Sequence, residues 1–400
     1  MKRFVKLSLA ASMLMSGAAY ADSIEDAFKN GKVSGEIRMG YVDQDNDDTT
    51  TNQNSAVGGM IAYETAAFHG VSAGVAFYTT HRLEDKSGDG AGTGLFDGND
   101  DSYSLLGQAY VNVVMGNTNF KAGRQQIDTP YADSDDIRMV PNLFEAYVLS
   151  NTDIPDTTLV AAQVEKWSGV DKDPNPEEFE PLVGGDGVTM LAGIYGGIPN
   201  TELSLWYYDV DQLTKITYIE GTTELGLGEG MGLALGAQYA NLSESANSNV
   251  DAKVMGISAE LAIEAAGTTV MAAYNDVSTN AANGHSATNG FGGGPYMTSM
   301  EEMTVDGLVG DASAWVAGVS VDLGRFGAEG LSIAYAHGEF EDGQNGAAKE
   351  EYTEDDITVE YGFSDNLSAV LLYTDWEHKT GSAKQNDSFD RLQAYVNYSF

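Results

Sequence analysis

The 400-residue chain has no cysteine, only eight prolines, and 20 lysines and arginines against 60 aspartates and glutamates. Without cysteine there is no disulfide framework, so the fold must rest on a large core or on closed backbone hydrogen bonding. A formal charge of −40 argues against a nucleic-acid partner, which calls for a basic face. Beyond the amino terminus no apolar run approaches the roughly 20 residues of a membrane helix, so helical spanning is excluded. Spanning by strands is not, because a barrel strand needs only about 9–11 residues with every second one apolar. What the chain has in quantity is 47 Gly, 21 Tyr and 14 Phe, a composition suited to strands joined by tight turns.

The amino terminus predicts export. Lys2, Arg3 and Lys6 precede a short apolar core from Leu7 to Met15, and Ala19-Tyr20-Ala21 forms a small-x-small cleavage site before Asp22. Residues 1–21 therefore read as a secretory signal peptide, too short for a span, and 22–400 as one barrel domain.

From Lys32 onward, strand-like segments of about ten residues alternate with connectors. About eighteen such segments run from 32–42 to 388–400, with sixteen as the alternative. The connectors alternate in length. Short ones such as Gly116-Asn117, Ala266-Gly267 and Asp365-Asn366 are rich in Gly, Asn and Asp, as hairpins require. Long ones fall between them, at 43–54, 84–101, 129–142, 169–187 and 279–311, with an abrupt join near Leu213-Thr214 breaking the rule. Short turns at one end and long loops at the other describe an all-β antiparallel transmembrane barrel with periplasmic turns and extracellular loops. A Greek-key sandwich has no reason to alternate in this way.

The last segment shows the pattern at its cleanest. Leu392, Ala394, Val396, Tyr398 and Phe400 alternate with Arg391, Gln393, Tyr395, Asn397 and Ser399, giving one apolar and one polar face. Similar dyads (Ile357, Val359, Tyr361 and Phe363 against Thr358 and Glu360) predict a lipid-facing exterior around a polar interior. One segment disobeys: Arg124 shares parity with Phe120 and Ala122, which implies either a bulge near Gly123 or a place at the rim.

A barrel of this width is an aqueous channel that must be narrowed by an inserted loop and charged lining residues. The first candidate is the 129–142 loop, where Arg124 and Arg138 accompany Asp128, Asp133, Asp135 and Asp136. Arginines facing carboxylates at close quarters set up a transverse field that orients polar solutes. The same residues also read as ordinary salt bridges of a solvated loop. The second candidate is the longest loop, 279–311, whose Gly-rich run precedes Tyr296, Met297 and Met300. Either these residues bring a plug against the barrel wall or the loop stays outside.

The hairpin from Ile61 through Phe68-His69-Gly70 to Gly74 resembles the early hairpin of the OprD-type outer-membrane porins of Gram-negative bacteria. Lys121-Ala122-Gly123-Arg124-Gln125, running through Thr129-Pro130 to Asp136-Ile137-Arg138-Met139-Val140-Pro141, is similar to that family's strand and constriction-loop start. The resemblance implies an eighteen-strand porin of the cell outer membrane, usually trimeric or loosely associated, passing small hydrophilic solutes. It also implies a ladder of lumen-facing basic residues. Here that ladder can be matched at Arg124 and Arg138, with Arg38, Lys121 and Arg391 as looser candidates, so cation preference stands beside anion preference. The terminal Tyr398 and Phe400 resemble the carboxy-terminal signal read by the outer-membrane assembly machinery, and lipid and lipopolysaccharide are the expected surroundings.

No cofactor and no catalytic group are expected. The five histidines are scattered singly, without a pair at metal spacing. The acidic run from Asp43 to Asp48 lacks the glycine and glutamate of a calcium loop, so loose divalent binding at acidic loops is all it predicts. The functional reading is diffusion through a water-filled barrel. Its alternative is a barrel-anchored surface adhesion protein that acts through acidic loops.

Overall fold

The computed structural model describes residues 21–47, 51–83, 93–172, 174–182, 185–245, 248–279, 285–288, 290–292, 294–343, 349–381 and 383–400. The expected signal peptide lies outside them but for Ala21, as does Asp48. Eighteen long strands make up the fold: β1 (Lys32–Asn46), β2 (Thr51–Glu64), β3 (Val71–Arg82), β4 (Tyr103–Met115), β5 (Thr118–Gln125), β6 (Leu143–Asn151), β7 (Thr157–Ser168), β8 (Val188–Ile198), β9 (Thr201–Val210), β10 (Thr214–Gly228), β11 (Met231–Glu244), β12 (Ala252–Ile263), β13 (Thr268–Thr279), β14 (Asp311–Asp322), β15 (Leu331–Gly343), β16 (Glu350–Gly362), β17 (Leu367–Thr380) and β18 (Phe389–Ser399). Two-residue segments at Glu180–Pro181 and Ala383–Lys384 only edge β7 and β17.

Each long strand pairs antiparallel with the next, and β18 returns to β1 in a register from Glu36–Ser399 to Asn46–Phe389. The sheet therefore has no edge, which is the condition for backbone to cross lipid with every N–H and C=O paired. Phe400 extends this seam. Its N–H donates to the Gly35 carbonyl at 2.9 Å and its carbonyl accepts from Gly35 at 3.0 Å. A Cβ on Gly35 would stand 2.5 Å from Cζ of the Phe400 ring, so the glycine leaves the space that this ring fills. A short helix, α1 (Ile24–Lys29), is capped by Ser23 and precedes β1.

The outward positions are large and apolar around the circumference, among them Ile37, Ile61, Phe77, Leu149, Leu205, Ile219, Ile257, Val270, Trp315, Ile357, Leu371 and Tyr398. In water such a belt would be untenable; against lipid it is the expected exterior. Arg124 pairs in register with Ala109 and Glu145, and neither ladder shifts at Gly123. There is thus no bulge. Gly123 adopts φ +120°, where a Cβ would lie 2.2 Å from the Ala109 carbonyl oxygen, so the position calls for glycine, and Arg124 is the penultimate residue of β5, at its long-loop end.

The interior corrects the expectation of a uniformly polar lumen. Inward residues of β6 to β15 are largely apolar, including Val164, Met190, Trp206, Ile216, Leu242, Val254, Val277, Val316 and Phe340, and they form one buried cluster. Inward residues of β16, β17, β18 and β1 are largely polar or charged, among them Glu354, Asp356, Thr374, Arg391, Gln393, Arg38 and Gln44, with Val42 an apolar exception on β1. The apolar wall is not wetted because two long loops cover it.

Candidate functional site

Residues 126–142, between β5 and β6, and the described residues 285–310, between β13 and β14, fold into the barrel and meet there. Tyr131 is the hub. It is fully buried and sits edge-on to Tyr208, Tyr218 and Tyr296 at centroid distances of 5.4, 5.7 and 6.2 Å, the geometry aromatic rings prefer. Its backbone N–H donates to the Tyr208 hydroxyl at 3.4 Å. The loops also join main chain to main chain, with Phe291 N–H donating to Tyr131 O at 2.8 Å and Asp133 N–H to Phe291 O at 3.1 Å. Gly290 makes this approach possible, since a Cβ there would lie 2.2 Å from the Tyr131 carbonyl oxygen. Burial pushes the Tyr131 and Tyr296 phenols up, so both remain neutral at any working pH.

A buried loop must find partners for its backbone donors, and lumen side chains supply them. Gln238 Oε1 accepts from Met297 N–H at 2.7 Å, and Asn275 Oδ1 from Thr298 N–H at 3.0 Å. The Glu354 carboxylate accepts from Glu302 and Met303 N–H at 2.9 and 2.8 Å. Tyr296 and Met297 are buried, and Met300 lies against the apolar cluster. The described part of the longest loop lies inside the barrel, against the wall.

Where these loops face the charged wall, three buried arginines converge. Arg38 on β1 donates through both terminal nitrogens to Asp136, at 2.5 and 3.1 Å, through Nε to Asn397 at 2.8 Å, and to the Arg138 carbonyl. Glu36 flanks it at 2.9 Å. Arg138, 7% exposed, reaches Glu301 at 2.8 Å and Glu302 at 3.5 Å. Arg391 on β18 closes on the same Glu302 carboxylate and donates to Gln44 Oε1 at 2.7 Å. Gln393 donates to Glu301 at 2.9 Å. Burial raises the Glu302 carboxyl, while Arg391 and Arg138 pull it back down. Buried charges are tolerable only when paired in this way.

The candidate residues read from sequence divide. Arg138 and Asp136 enter the cluster, together with Arg38 and Arg391. Arg124 is directed elsewhere, to Glu145 at 3.5 Å and over the Phe179 ring at 4.1 Å. Asp128 caps its own loop by accepting from Ser134 N–H and Oγ–H, and Asp133 accepts from Asp135 N–H at 2.9 Å. Asp135 carries a positive φ of 35°, a turn role. Lys121 stands over the Tyr110 ring at 3.9 Å.

Sequence reasoning passed over Glu301, Glu302 and Glu354. Two signals could have found them. Glu301-Glu302 is the one acidic pair amid the methionines of the longest loop, and Glu354 shares parity with Thr358 and Glu360, already assigned to the lumen.

Comparison with known proteins agrees with this architecture. The solved structure of OccAB2 from Acinetobacter baumannii superposes with a TM-score of 0.79 at 18% identity, covering 94% of this chain and 99% of that one. That of OpdK from Pseudomonas aeruginosa, solved with vanillate, gives 0.78 at 17% identity over 93% and 99%. OccK8 (OprE) from the same organism gives 0.76 at 17% identity over 94% and 99%. No curated protein sequence matches. The model of the OprD family of outer membrane porins matches residues 25–400, and a match of that extent shows that the chain belongs to this family.

Proposed function

We propose that the cluster of Arg38, Arg138 and Arg391 with Glu36, Asp136, Glu301 and Glu302 is the constriction of this outer-membrane porin, and that it favours cations weakly while admitting small hydrophilic solutes of either sign. One observation carries the reading. The arginines arrive from β1, from the 126–142 loop and from β18; Arg38 meets Asp136 of the 126–142 loop, while Arg138 and Arg391 meet Glu301 and Glu302 of the other inward loop. Three guanidiniums face four carboxylates, with Glu354 and Asp356 close behind. The field is therefore transverse and nearly balanced, unlike that of a strongly basic pore. An exterior this acidic also enriches cations at the mouth. Vanillate, the ligand in the OpdK structure, is a small aromatic carboxylate, and a solute of that kind could present its carboxylate to Arg138 and its ring to the apolar wall.

The deciding experiment is the reversal potential of the mature protein in planar bilayers under a salt gradient. A modest shift toward the cation equilibrium potential is expected; a strongly anion-selective channel would remove this reading.

Tyr398 and Phe400, stacked at 6.3 Å between centroids on the outer face of the seam, are proposed as the signal for the assembly machinery. Deletion of Phe400 should lower membrane-inserted protein at least tenfold, assayed by heat-modifiable migration of membrane fractions. Normal insertion would exclude the role.

A further inference from the structure

We infer that Glu244, Asp251 and His285 form a site for a divalent transition-metal ion of the Zn2+ class at the extracellular mouth, where the ion fastens the start of the inward loop to the β11–β12 connection. One ligand atom from each of the three side chains lies within 4.8 Å of the other two. Glu244 is the last residue of β11, Asp251 the residue before β12, and His285 opens the described part of the β13–β14 loop. Backbone contacts already hold these segments together. Ser286 N–H donates to Asn249 O at 3.0 Å, Gly310 N–H to His285 O at 2.8 Å, and Val250 bridges Ser286 in parallel. Glu244 Oε1 braces the turn by accepting from Asn249 N–H at 3.2 Å.

A second, independent observation points to a ligand. Nδ1 of His285 is buried and has no hydrogen-bond partner among the described residues, a state that natural structures seldom leave unused. Other imidazoles are provided for: His378 has Asp387 on one nitrogen and Glu350 on the other, and His337 has Asp355 and Glu339.

The donor set decides the class of ion. One imidazole nitrogen with two carboxylate oxygens, leaving a position for water, suits Zn2+ and similar ions, whereas calcium and magnesium call for oxygen alone. Donors around a tetrahedral ion at ~2.1 Å stand about 3.4 Å apart, so binding would draw the three side chains inward. The three ligands come from separate segments, which is why no spacing of histidines in the sequence discloses them. Because the described part of the inward loop starts here and is joined further on to Tyr131 through Phe291, an ion at this site restrains that part at its outer end.

The test is calorimetric titration of the folded full-length barrel in detergent with Zn2+, alongside single-channel recording. One ion per chain is expected, with affinity at least tenfold weaker in His285→Ala and in Glu244→Gln, and unchanged in His378→Ala. Micromolar Zn2+ should reduce current fluctuations of the wild type, and a chelator should restore them. Glu244 is exposed, so its variant keeps the test valid if the histidine variant fails to fold. Equal binding by wild type and both variants, or equal competition by Ca2+, would overturn the site. Binding that leaves the fluctuations unaltered would overturn the clamp.

Discussion

Two walls of the same barrel are built on opposite rules. On β7 and β8 both parities are apolar: Leu159, Leu191 and Tyr195 point outward, while Val160, Val164, Met190 and Ile194 point inward. On β16 and β18 the parities part cleanly, with Ile357 and Val396 outside and Glu354, Asp356, Arg391 and Gln393 inside. The difference follows what each wall faces. The apolar wall receives the inward loops, and burying Ile127, Tyr131, Phe291 and Met303 on it supplies the drive that keeps them inside the lumen, at roughly 25 cal/mol for each Å² of apolar surface removed from water. The charged wall faces the remaining bore and the carboxylates those loops carry. One half of the lumen thus holds the inward loops and the other half furnishes the charged side chains that meet them.

The strongest way to break this division is to release the loops. Tyr131→Ala removes a fully buried ring at the centre of the aromatic cluster, and a truncation of this size costs about 3–5 kcal/mol. Single-channel conductance should rise severalfold, and protease should cut at residues 126–142. An unchanged conductance would show that the apolar wall does not hold the constriction.

A smaller effect is expected from the charges themselves. Arg138→Ala leaves Glu301 without its guanidinium and should move the reversal potential further toward cations. Glu302→Gln leaves Arg138 and Arg391 undercompensated and should move it toward anions. Arg124→Ala, whose guanidinium lies over Phe179 instead, should change it little. Equal shifts in Arg124→Ala and Arg138→Ala would undo the assignment of the constriction.

The pH dependence sharpens the comparison most finely. Burial raises the Glu302 carboxyl from its ordinary 4.5, so on acidification it takes up a proton before an exposed glutamate does. Loss of that negative charge frees the two arginines to attract anions. Selectivity should therefore drift toward anions as pH falls, beginning above pH 4.5, and the part of the drift lost in Glu302→Gln measures this carboxyl.

The barrel itself could be read along the chain, since parity and connector length are local properties. A strand that meets lipid on one side must alternate, and Leu392 to Phe400 does so. In an antiparallel sheet alternate connectors fall at the same end, so connectors that alternate in length sort the long loops to one end. Sequence likewise offered Arg138 and Asp136, on a charged, proline-bracketed stretch between two strands, as candidates for an inserted loop beside the reading of an ordinary solvated one.

What the sequence could not convey is pairing across distance. Whether Asp136 meets Arg124, 12 positions away, or Arg38, 98 positions away, depends on closure of the seam between β1 and β18. That Glu302 joins Arg138 to Arg391 depends on a loop laid against the far wall. The composition of β7 and β8, apolar on both parities, carried a trace of that loop, but only the closed barrel shows which segment covers them. Local periodicity determined the strands and the outward face of most of them, and put their number at about eighteen. Which charges meet was decided by tertiary structure, because charges buried beside one another must be neutralised by whatever the fold brings within reach.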